Sequence, residues 1–62
     1  MADHIDEQSV VRAAREWAAR YGKGVEMVVV SAYETMAALK TELAPDKYDT
    51  ALRDLYHRYN DQ

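Results

Sequence analysis

The stretch Gly22-Lys23-Gly24-Val25-Glu26-Met27-Val28-Val29-Val30-Ser31 decides the fold. Four of the seven residues from Val25 to Ser31 are β-branched valines, so the run has the composition of a strand. A run this short cannot be assigned from its own periodicity. The residues beyond Ser31 weigh for a helix. Val25, Ala32, Met36, Leu39 and Leu43, with Val28 and Val29 filling the gap, keep an apolar spacing of four and three residues. The pattern predicts one helix over about 25–43, with a strand over 25–31 as the competing reading. Val30, Tyr33 and Ala37 add apolar surface beside this seam, whereas Glu26, Glu34 and Glu42 fall away from its centre.

Breaks flank this segment on both sides. Gly22-Lys23-Gly24 precedes it and Ala44-Pro45-Asp46 closes it. Upstream, Val10, Ala14, Trp17 and Tyr21 recur at helical spacing, with Val11 and Ala18 widening the stripe. They predict a helix over about 7–21. Asp6 suits its N-cap, and Ile5 suits a staple onto Val10. Gly22 suits the left-handed position beyond its end. Downstream, Tyr48, Ala51, Leu52, Leu55, Tyr56 and Tyr59 mark one face of a third helix over about 46–59, with Pro45 at its first turn. Asp49 with Arg53, and Asp54 with Arg58, are spaced for pairing along that helix, each pair worth only about 0.2–0.5 kcal/mol. The expectation is an all-α protein, a single domain over 1–62 folded as an up-down-up three-helix bundle. The stripes of helices one and three would be buried against the seam of helix two.

Composition narrows the function classes. The chain has 62 residues, and 48% of them are hydrophobic, but ten of those are alanine. A core built from such small pieces supplies little stability, about 3–5 kcal/mol at this length, and small domains usually add a staple. The absence of cysteine excludes disulfides, thiolate metal sites and cysteine nucleophiles. A net charge of −3 opposes binding to nucleic acid or anionic membrane through bulk charge. The start, Met1 to Glu7, is acidic and polar, unlike a signal peptide. The longest apolar run, Met27 to Val30, falls far short of the roughly 20 residues of a membrane span. A soluble, cytoplasmic protein is expected.

Oligomerisation is the staple that remains. Helix two carries more apolar surface than two neighbours require. Val29, Val30, Tyr33, Met36 and Ala37 are therefore the predicted interface of a homodimer. Five tyrosines and no phenylalanine fit surfaces that are half dry and half wet. A monomer, or a complex with a different protein partner, is the alternative.

Chemistry has few candidates. His4 among Asp3, Asp6 and Glu7 reads as a solvated helix start, because contiguous residues do not converge on one ion as helical His/carboxylate spacings do. His57 falls opposite the stripe of helix three, where it suits the negative helix end. Ser9 reads as a first-turn residue, and Ser31 as one that can bond back to a preceding carbonyl. Gly22-Lys23-Gly24 lacks the rest of a phosphate loop. No catalytic residue, cofactor or metal site is predicted.

Nucleic-acid binding is the serious rival. As a helix-turn-helix, the third helix would present Lys47, Arg53, His57 and Arg58 together with Asp46, Asp49, Asp54 and Asp61, which repel phosphate. As a ribbon–helix–helix, Val25 to Ser31 would offer the groove Glu26 and valines. Arg12, Arg15, Arg20 and Lys23 could touch a backbone, but Glu16 stands four residues from both Arg12 and Arg20. The sequence therefore points to a non-catalytic protein-interaction or structural module that self-associates through its central helix. A small DNA-binding transcriptional regulator is the alternative.

Overall fold

The computed structural model describes residues 5–61, with side chains up to residue 60. Three helices succeed one another: α1 (Glu7–Arg20), α2 (Val25–Glu42) and α3 (Pro45–Asp61). No strand occurs among the described residues. The valine run belongs to the first two turns of α2, so the longer apolar spacing prevails over local β propensity.

Local chemistry explains each boundary. Asp6 is extended (φ −102°, ψ −178°) and caps α1. Its Oδ1 accepts from the Ser9 backbone N–H at 2.9 Å and from the Ser9 hydroxyl at 3.0 Å. Ile5 packs against the cluster that contains Val10, as the staple requires. At the other end, the Lys23 N–H donates to the Ala18 carbonyl at 2.8 Å and the Gly22 N–H to that of Ala19 at 3.4 Å. Gly22 has φ +67°, which completes a Schellman close. A Cβ at Gly22 would meet nothing within 4 Å, so the dihedral alone favours glycine there.

The second connection is shorter. α2 gives way at Leu43, which is extended (φ −110°, ψ 149°). Ala44 then precedes Pro45, whose ring disfavours helical geometry in the residue before it. The Ala44 carbonyl accepts from the Tyr48 N–H at 2.8 Å, and Pro45 opens α3 without losing a helical bond.

Two contacts between distant residues fix the topology. The Tyr48 hydroxyl donates to the Glu7 carboxylate, bringing the start of α3 to the start of α1. The Trp17 and Tyr59 rings lie 5.6 Å apart near the opposite ends of the same helices. α3 is therefore parallel to α1 and α2 runs against both, the up-down-up order.

The centre of the bundle is α1, not α2 as the apolar count suggested. α1 buries Val10, Val11, Ala13, Ala14 and Ala18, whereas α2 buries Ala32 and Met36. Alanine lets backbones approach closely, so a helix poor in large residues sits between two neighbours. α2 and α3 meet over a shorter stretch than either shares with α1. Val10, Val11, Met36 and Leu52 form the cluster of large buried side chains, ringed by half-buried residues that include Val29, Leu55 and Tyr59.

The paired charges expected along the surface are not closed. Asp49 with Arg53, Asp54 with Arg58, and Glu16 with its arginines all stand beyond 4.0 Å. Exposed pairs gain little over hydration, so nothing compels them to close. Among the described residues, no helix is long and apolar enough to cross a membrane.

Candidate interaction surface

Residues of α2 advance by about 100° each, so positions three and four apart share a face. Ala32 and Met36 turn fully inward, at 1% and 2% exposed, with Val25, Val28, Val29 and Leu39 half-buried around them. The flank beside this buried stripe is open. Tyr33 is 51% and Val30 53% exposed, and Ala37, four residues beyond Tyr33, is exposed on the same face.

The five residues of the predicted interface thus divide. Val30, Tyr33 and Ala37 stand together on the outside. Val29 is half-buried and packs against the core. Met36 lies in the core and is no part of an exposed face. It comes four residues after Ala32, and that register carries it inward. Met27, outside the predicted set, is the most exposed large apolar residue of the four that stand out, at 79%. Its place three residues before Val30 is the signal in the sequence that points to it. With Glu26, Val30, Ser31 and Glu34 it lines a shallow groove along α2. Arg15 of α1 borders the neighbouring hollow, beside Val25, Glu26 and Val29.

A second hollow opens where α1 and α3 begin, lined by Asp6, Glu7, Lys40, Tyr48 and Asp49 among others. Its polar centre is the bond from Tyr48 to Glu7. Burial pushes the Tyr48 phenol up to about 12 from 10.0, helped by the hydrogen bond to Glu7 and the charges of Glu7 and Asp49. The folded-state value is raised, so this contribution to stability is whole below pH 10 and fades as pH climbs towards 12. The wild-type melting temperature should therefore fall more steeply between pH 10.0 and about 12 than that of Tyr48→Phe. At pH 7 the substitution should cost about 1 kcal/mol. Parallel melting curves for the two proteins over that range would refute the assignment.

An aromatic group closes the far end. Trp17 lies 5.9 Å from the Tyr21 ring and 5.6 Å from that of Tyr59, tilted to both, and the Arg20 guanidinium stands 5.9 Å over Tyr21. These offset contacts are ordinary aromatic packing.

The titratable candidates are distributed without a focus. Asp3 and His4 lie outside the described residues, while Asp6 caps α1 and Glu7 holds Tyr48. His57 is exposed, its ring edge-on to Tyr56 at 5.8 Å. Arg12, Arg15, Arg20 and Lys23 are exposed. The continuous α2 removes the strand that a ribbon–helix–helix reading requires. No protein-family model, no curated protein and no solved structure matches this chain.

Proposed function

We propose that the chain is a non-catalytic protein-interaction module that self-associates through the outer face of α2. One observation supports this reading: Val30, Tyr33 and Ala37 are exposed together on one flank of α2 beside its buried stripe. Contiguous apolar surface on a small protein is costly to leave in water, and tyrosine is among the residues that concentrate binding energy at interfaces. The thin core adds a reason for assembly. Its cluster of large buried residues has four members among the described residues, and a chain without cysteine has no disulfide to staple it. That composition also suits a cytoplasmic setting.

Light scattering across a dilution series tests the proposal. At micromolar concentrations the mass should approach twice the 7.1 kDa of one chain, and the melting temperature should rise with concentration. A single-chain mass that persists into the millimolar range would overturn it.

A further inference from the structure

The exposed flank of α2 holds a second seam, beside the buried one. Glu26, Val30, Tyr33, Ala37 and Lys40 succeed one another at intervals of four, three, four and three, and all five are exposed. Its ends carry opposite charges. Glu26 lies seven residues before Tyr33 and Lys40 seven residues after it, each two helical turns away, about 10 Å along the axis. Neither has an ion-pair partner among the described residues. The seam therefore reads the same in charge when it is reversed and inverted in sign about Tyr33.

From this symmetry we infer that the occupant of the face is a second copy of the chain, docked with its α2 antiparallel and Tyr33 on the two-fold axis. The inference rests on the self-association proposed above and adds its direction and register. A two-fold axis perpendicular to the helix pair sets Glu26 opposite Lys40 of the partner subunit and Lys40 opposite the partner's Glu26. Two opposite-charge pairs then close the ends of the contact around the tyrosines. Val30 meets the region of Ala37 in the other copy, where a small side chain leaves room for a branched one. The parallel arrangement does the reverse, setting Glu26 against Glu26 and Lys40 against Lys40. Like charges brought face to face are a strong selector against a wrong pairing. Glu34 lies about 100° round the helix from Tyr33 and stays at the margin.

Charge reversal tests the register, with sedimentation equilibrium as the readout and far-UV circular dichroism confirming the helices. Glu26→Lys and Lys40→Glu should each weaken dimerisation at least about tenfold, since each turns both end pairs repulsive. The double variant Glu26→Lys/Lys40→Glu should return to within about threefold of wild type. A parallel dimer would respond differently, because single reversals there only exchange one like-charge pair for another. Lys40 borders the hollow with Asp6, Glu7 and Asp49, so Lys40→Glu can also weaken the fold.

A cross-linking measurement avoids that complication. Tyr33→Cys should oxidise readily to a disulfide-linked dimer, whereas Glu26→Cys, about 20 Å from its own copy, should not. Glu26→Cys and Lys40→Cys mixed together should cross-link. A wild-type dimer whose single reversals leave affinity unchanged, or whose Glu26→Cys variant links to itself, overturns the antiparallel register and leaves self-association standing. A monomeric wild type removes both.

Discussion

Val10→Asp should leave the chain unfolded at 25 °C (the usual reference temperature), with the helical far-UV signal lost. Val10 is 0% exposed and sits in the cluster with Val11, Met36 and Leu52, and no polar group is buried among the described residues to receive a carboxylate. An unpaired ionised group in such a place costs several kcal/mol, or forces its own neutralisation. The whole fold of a chain this size is worth only about 3–5 kcal/mol. The penalty therefore matches or exceeds everything available to oppose it. Circular dichroism with a urea titration checks the result. A variant that keeps a cooperative transition near the wild-type midpoint would show that α1 is not the centre of the core.

Tyr33→Glu should have the second-largest effect, and of a different kind. Tyr33 is 51% exposed, so an acidic residue there should leave the helices formed at high concentration. It would bring two carboxylates together at the middle of the proposed interface while removing two phenol rings. Truncating a central aromatic typically costs about 2 kcal/mol or more, a factor of roughly 30 in affinity. Light scattering should report single chains where wild type gives dimers, with helical content preserved. A dimer of unchanged affinity would mean that association uses another face. The two variants form a pair: one destroys structure through a residue no partner can reach, and the other abolishes assembly through one the core does not hold.

Much of the fold is legible in the sequence because its boundaries are local. The Asp6 cap, the Gly22 close and the Pro45 start each depend on a few neighbouring residues, and each stands in the structure where the chain's chemistry asks for it. The helical state of Val25 to Ser31 is legible from the spacing that continues past it. Which helix lies in the middle is not. Reading the sequence weighs large apolar side chains, and these favour α2, while the packing is decided by the alanines of α1.

The same confusion places Met36 on the partner face, since its nearness to Tyr33 along the helix hides which side of the boundary it takes. Met27 escapes notice because a valine run invites grouping by adjacency instead of by turn. The bond from Tyr48 to Glu7 joins residues 41 positions apart, and no local pattern announces it. On the surface, the charge relation between Glu26 and Lys40 emerges only after the buried seam of α2 has been subtracted.

The alanine-lined faces of α1 carry a consequence for how this sequence can drift. Ala14 and Ala18 are 0% exposed, against neighbours drawn close because nothing larger stands between them. Every replacement except glycine adds atoms to those positions, and overfilling a tight site typically costs about 1–3 kcal/mol. Glycine there would loosen the helix by roughly 1 kcal/mol instead. The chain's least conspicuous residues are thus among its least replaceable, whereas the bulky Met27, 79% exposed, is no part of the core. The fold constrains the small residues along α1 more tightly than the large apolar residues at its surface.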